Sequence, residues 1–176
     1  MDDLYEYASV PGVGENAGWP HHESKEESQA ILNRFLSGKK TFALVYKENG
    51  EVIGSLGVEL YPDKGELAEL DEYRGRELGF VLSKDYWGKG LMPEAVKALI
   101  RYLFDVWDLD FLVCSHFDFN QRSKRVQEKC GFRPYRRFKM TTRLGTEEIG
   151  VCNILLNPKK NIWVDFSQRD SIICKE

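Results

Sequence analysis

The chain has 176 residues, 42% of them hydrophobic and 30% charged, which fits one soluble globular domain able to bury a core without disulfide or metal staples. Its formal charge of −3, from 25 basic and 28 acidic residues, argues against a general nucleic-acid or membrane-surface binder. No apolar run approaches the length of a membrane span, and Met1-Asp2-Asp3-Leu4 does not open a secretory signal. The cysteines Cys114, Cys130, Cys152 and Cys174 show no CxxC spacing, so a reducing cytoplasm is the expected compartment, with no metal site.

Residues 1–20 are rich in Gly and Pro and carry no clear periodicity. Ser24 to Leu36 is expected to be helical, with Ser24 as N-cap and Glu27 completing a capping box. Thr41–Tyr46 and Glu51–Leu60 are β-rich runs joined at Asn49-Gly50, a strong hairpin signal. Arg76–Leu82 reads as a further strand. Pro93–Trp107 is the clearest helix, because Val96, Leu99, Ile100, Leu103, Phe104 and Trp107 recur at helical spacing. Phe111–His116 is an apolar strand, and Gln121–Cys130 a helix with Asn120 as N-cap and Gly131 as its stop. Arg136–Thr142 and Glu148–Leu155 form a second hairpin around Leu144-Gly145-Thr146. The expected order is α, β, β, β, α, β, α, β, β, a mixed α/β (α+β) sheet with flanking helices.

Charge is uneven along the chain. Seven acids fall between Glu59 and Glu77, and eight bases between Arg122 and Lys139 against Glu128 alone. Such runs are either solvated faces or the two ends of a site, basic for an anionic ligand and acidic for a cationic one.

The run from Leu82 to Glu94 joins a strand to the best helix. Gly88 and Gly90 let backbone N–H groups approach a ligand closely, the helix dipole points at the loop, and Lys89 adds a charge. Neither the Walker pattern nor the dinucleotide-binding GxGxxG is present. The segment is therefore either an ordinary strand–helix turn or a phosphate loop, and its position favours the latter.

Tyr86-Trp87-Gly88-Lys89-Gly90-Leu91-Met92-Pro93-Glu94-Ala95 resembles the pyrophosphate loop of the GNAT superfamily of N-acetyltransferases, in its RimJ/RimL-like form. Asn120-Gln121-Arg122-Ser123 with Glu128-Lys129-Cys130-Gly131-Phe132 is similar to the same branch's downstream signature. Val52-Ile53-Gly54 and Glu77-Leu78-Gly79-Phe80 match the two preceding strands, and Gly18-Trp19-Pro20-His21-His22 resembles part of the acceptor-side loop. The likeness spans roughly residues 2 to 156 and is far more specific than any single motif. Met92 departs from it, standing where a small residue is expected. The family's first strand is missing, as from a truncated or late-started sequence, so 1–176 reads as one acetyltransferase domain with a C-terminal extension at 157–176.

The resemblance implies a mostly antiparallel central sheet with splayed central strands, here Arg76–Leu82 and Phe111–His116. Acetyl-CoA is the implied cosubstrate, without a metal. Its pantetheine amides would pair with the backbone of Phe80, Val81 and Leu82, and its pyrophosphate would sit on Trp87, Gly88, Lys89, Gly90, Leu91 and Met92. Asn120 is either a helix cap alone or also a hydrogen-bond partner of the pantetheine arm. Ser123, in the first turn of its helix, either bonds the local backbone or donates to the departing thiolate. Glu77 is either a solvent-facing strand residue or the carboxylate base. Trp19, His21 and His22 either shape the acceptor mouth, together with Asp63–Glu72, or are plain loop surface; His116 reads as structural.

An α-amine of reference pKa near 8 is roughly a tenth neutral at pH 7, whereas a lysine side chain is neutral in only about four parts in ten thousand. The expected reaction is direct acetyl transfer without an acyl-cysteine, and a protein N-terminus is the easier acceptor. A small amine such as an antibiotic or metabolite, a non-catalytic acyl-CoA-binding module and a plain interaction domain are the alternatives, and a homodimer is left open.

Overall fold

A computed structural model describes residues 1–61, 68–164, 166 and 172–174. Among these residues four α-helices, α1 (Asp2–Ala8), α2 (Lys25–Gly38), α3 (Leu91–Asp105) and α4 (Gln121–Lys129), surround one sheet. Its strands are β1 (Thr41–Val45), β2 (Val52–Leu60), β3 (Gly75–Leu82), β4 (Phe111–Phe117), β5 (Arg133–Thr141), β6 (Glu147–Leu156) and β7 (Ile172–Cys174), in the spatial order β1-β2-β3-β4-β6-β5-β7. All neighbours are antiparallel except β3–β4 and β5–β7. The expected mixed sheet with flanking helices is therefore present. Two elements are additional: α1, inside the N-terminal stretch that showed no periodicity, and β7, inside the C-terminal extension.

Local chemistry accounts for the element ends. The Ser24 side chain accepts from the Glu27 N–H at 3.1 Å, the expected cap, while the Glu27 carboxylate reaches back to the Glu23 N–H at 2.9 Å. Gly50 turns the first hairpin at a φ of 77°, a left-handed conformation that glycine adopts without strain. α3 starts two residues earlier than Pro93, because Gly90 caps it at a φ of 79°; Pro93 still falls in the first turn, where its missing N–H costs nothing.

One face of the sheet is covered by α3, whose Val96, Leu99, Ile100 and Leu103 pack on Leu56, Leu78 and Leu112. On the other face, α1 joins Leu32 and Phe35 of α2 over Val52 and Val81. Further along that face, Phe111, Val113, Tyr135 and Ile154 form a third apolar cluster with Leu70 and Val164.

The β3–β4 pairing is short. It registers Gly75 with Phe111, Arg76 with Leu112 and Glu77 with Val113, and stops there. Beyond that point the two strands separate, so the sheet is split from Leu78 and Cys114 onward. The ends of both strands lead directly to the helices α3 and α4.

Candidate active site

The split opens a cleft of about 1150 Å³ between β3, β4 and the first turns of α3 and α4. Antiparallel pairing alternates which residues turn their N–H and C=O groups toward a given neighbour. Ser83 N donates to Ile53 O at 2.7 Å, so Val81 and Gly79 face β2, and Leu78, Phe80 and Leu82 face the gap. On β4, Asp118 N donates to Ile149 O at 2.8 Å, so His116 and Cys114 face β6 and Ser115 faces the gap. Of the backbone expected to pair with pantetheine, Phe80 and Leu82 face the gap and Val81 faces β2. Phe80 presents an N–H without a ladder partner; the Val81 backbone is committed to β2; the Leu82 carbonyl accepts from Trp87 Nε1 at 2.8 Å. Periodicity showed a strand but not which of its edges stays unpaired.

The loop residues Trp87, Gly88, Gly90, Leu91 and Met92 all line the cleft. Gly88 and Gly90 have φ values of 77° and 79°, and a Cβ built on either meets nothing within 4 Å. Their advantage is therefore the positive φ, together with an open approach for a ligand. The Met92 side chain is 3% exposed and belongs to the core, so its size does not intrude on the loop. Lys89 is exposed and absent from the cleft wall; its ammonium sits 4.9 Å from the centre of the Tyr86 ring.

The basic run divides in two. Arg122, Arg125 and Lys129 share one face of α4 and line the cleft, and among the described residues they form no ion pair. The Arg122 guanidinium lies 4.6 Å above the Trp87 ring, tying α4 to the loop. Arg136 and Arg137 also line the cleft, but they are ion-paired, to Glu69 at 2.5 Å and to Asp118 at 2.7 Å. The i, i+3, i+7 spacing of the α4 cations was the signal that could have separated the two groups.

Asn120 caps α4 by accepting from Ser123 N at 3.1 Å, and its amide donates to Asn16 O at 2.9 Å. It therefore fastens the N-terminal segment over the cleft, which Val13, Asn16 and Ala17 also line. One amide hydrogen of Asn120 remains for a ligand. Ser123 lies on the cleft wall, and its Oγ accepts from Gln127 Nε2 at 3.1 Å.

Glu77 lies at the mouth of the split, on the face opposite α3, and accepts from Ser115 Oγ at 3.1 Å. Glu59 stands directly across from it on β2 and also lines the cleft. Cys114 lies on the wall too, but burial pushes its thiol well up, which keeps it protonated.

The expected acceptor residues are placed elsewhere. Burial takes His22 into the interior, where Nδ1 meets Ser28 Oγ at 2.7 Å, and its N–H donates to Ala8 O at 2.9 Å. His22 therefore knits α1 to α2 and does not line the cleft. Trp19 packs against the α1 cluster, and His21 binds Glu15 Oε1 at 2.7 Å; neither is on the cleft wall. Of the expected acceptor stretch Asp63–Glu72, residues 63–67 lie outside the described residues.

A model of the GNAT acetyltransferase domain matches residues 1–133. The chain belongs to the GNAT acetyltransferase family. It is similar to an uncharacterized N-acetyltransferase, p20, of Bacillus licheniformis, at 33% identity over 90 residues, 50% of this chain and 46% of that relative. The chain thus spans about half the length of the curated relatives it matches, or less. Its fold matches the ribosomal-protein-S5-alanine acetyltransferase of Vibrio fischeri, with a TM-score of 0.65, 19% identity and 91% of each chain covered. It also matches spermidine N-acetyltransferase of Vibrio cholerae, solved with CoA and spermine, with a TM-score of 0.70, 16% identity and 90% and 92% of the two chains covered. For this GNAT domain, no helix of the described residues is long and apolar enough to cross a membrane.

Proposed function

We propose that this protein transfers an acetyl group from acetyl-CoA to a primary amine, by direct attack within a ternary complex, and that a protein N-terminal α-amine is the preferred acceptor. One observation carries the reading. The open gap between β3 and β4 has the Phe80 N–H on its edge, Ser123 on the α4 side and Glu77 at the opposite mouth.

The residues suit the substrate. Pantetheine amides extend along the β3 edge where the ladder has ended, and the pyrophosphate rests on the N–H groups that open α3. The nitrogen lone pair attacks the thioester carbon, and the Phe80 N–H stabilises the oxyanion. The C–S bond then breaks as the N–C bond remains. One proton leaves the nitrogen toward Glu77, and one reaches the sulfur with the help of the Ser123 hydroxyl. An α-amine needs only a weak base at neutral pH, which suits a carboxylate.

A second reading has a small polyamine as acceptor. It is supported by the two carboxylates, Glu59 and Glu77, facing each other at the mouth, and by the fold likeness to a spermidine N-acetyltransferase. Mass spectrometry of peptide and amine libraries incubated with acetyl-CoA separates the two. Acetylated peptide N-termini support the first, acetylated polyamines the second. Tight CoA binding with no transfer would leave a non-catalytic acyl-CoA-binding module.

A further inference from the structure

Gln127 is 1% exposed, on a helix whose other residues are polar or partly exposed. A buried amide is costly unless its hydrogen bonds are made, and here they are. Oε1 accepts from Asn153 Nδ2 of β6 at 2.6 Å, and Nε2 donates to Ser115 O at 3.3 Å and to Ser123 Oγ at 3.1 Å. The Ser115 carbonyl can only accept, so the nitrogen must be the atom facing it, and the orientation of the amide is fixed.

Two consequences follow for the cleft. Ser115 lies two residues beyond the last β3–β4 pair, Glu77 with Val113. Gln127 takes the carbonyl that a continuing ladder would have offered to Phe80, and so leaves the Phe80 N–H open. It also occupies a lone pair of Ser123 Oγ. The hydroxyl hydrogen must then point away from Gln127, and among the described residues Ser123 Oγ has no acceptor that would hold that hydrogen within the protein. A hydroxyl that accepts one hydrogen bond is also the stronger donor in the next.

We propose that Gln127 is a positioning residue for acetyl transfer, holding the Ser123 hydroxyl with its proton turned into the cleft toward the departing thiolate. This rests on the reading of Ser123 as the leaving-group donor.

The test measures release of the CoA thiol from acetyl-CoA, with an alanine-initiated peptide, spermidine or water alone as acceptor. It compares wild type, Ser123→Ala, Gln127→Met, Gln127→Glu and each Gln127 variant combined with Ser123→Ala. Gln127→Glu keeps an acceptor for Asn153 Nδ2 and carries the test should Gln127→Met fail to fold. The expected result is a fall in kcat of roughly tenfold or more for either Gln127 variant, with KM and calorimetric CoA affinity near wild type. In the Ser123→Ala background neither variant should add a further loss. Gln127→Glu should regain activity as pH falls, because a protonated carboxyl donates again. Equal losses in both backgrounds, or lost CoA affinity in place of kcat, would overturn the inference and leave Gln127 a structural bridge. A slow Ser123→Ala beside an unimpaired Gln127→Glu overturns the inference alone. Wild-type turnover in Ser123→Ala, or no thiol release by wild type, overturns the underlying reading and the inference with it.

Discussion

Glu59 and Glu77 stand directly opposite each other on β2 and β3, two like charges sharing one cross-strand site at the mouth of the cleft. Such a pairing costs stability, of the order of 0.2–1 kcal/mol. Lys40 stands 3.6 Å from Glu59, and because both side chains are largely exposed its contribution there is small.

Glu77→Gln should separate stability from activity. The amide oxygen still accepts from Ser115 Oγ and the side-chain shape is kept, so the variant should remain folded, as a thermal melt would show. Turnover should fall by roughly a hundred-fold if the carboxylate receives the amine proton. A variant that keeps wild-type turnover moves proton removal to water.

Ser123→Ala and Asn120→Ala should differ in kind. Loss of the Ser123 hydroxyl leaves the helix cap intact, so kcat and kcat/KM should fall together while KM for acetyl-CoA stays near wild type. Loss of the Asn120 side chain removes the cap and the tether to Asn16 O, so it should cost about 1 kcal/mol or more of stability as well as CoA affinity. Denaturant melts and steady-state kinetics on both variants check this.

Much of the scaffold was readable because local chemistry and tertiary packing agree there. The apolar repeat of α3, the Asn49-Gly50 turn, the Ser24 box and the Asn120 cap each have one physical meaning. α1 was hidden because its seven residues bury only Leu4, Tyr7 and Ala8, too few to stand out beside the glycines that follow. β7 exists only by parallel pairing with distant β5, which no local pattern announces. The loop, Ser123 and Glu77, candidates by sequence, all reach the cleft wall. The site was illegible where burial decides the role: His22 beside Trp19 has the composition of a binding loop yet is core, and Gln127 in a polar helix has that of a solvated face yet is buried.

The α4 cations should bind the phosphate end of CoA. Arg125→Ala should weaken CoA by about fivefold, the effect of about 1 kcal/mol for an exposed charge pair. CoA affinity should fall with salt, and dephospho-CoA should bind more weakly than CoA. Lys124→Ala and Lys139→Ala, whose side chains do not line the cleft, should leave affinity unchanged. Equal calorimetric affinities for the two ligands at low salt would count against this role.

Gly90→Glu should abolish most CoA binding while the chain still folds. A Cβ at Gly90 meets nothing within 4 Å, so the folded protein pays only for the positive φ, roughly 1–2 kcal/mol. The new carboxylate would occupy the phosphate approach with like charge. A folded variant with unchanged affinity would remove this loop from the site.

The 3₁₀ turn at Glu15–Ala17 should carry an acid-sensitive part of the stability. Burial alone would raise the Glu15 carboxyl, but hydrogen bonds from His21 and from backbone N–H groups, including those of Gly12 and His21, outweigh it and bring it from 4.5 down to about 2. A depressed folded-state pKa means that the unfolded chain takes up the proton first. The contribution is therefore fully present above the ordinary value near 4.5 and is lost as pH falls toward 2. Glu15→Gln should be less stable than wild type at pH 6, and the gap should narrow between pH values of about 4.5 and 2 and vanish below. The next residue, Asn16, receives the Asn120 amide across the cleft, so hydrogen exchange in residues 12–17 should quicken over the same range in wild type. Parallel melting curves for the two proteins from pH 6 to 2 would show that Glu15 does not hold the turn.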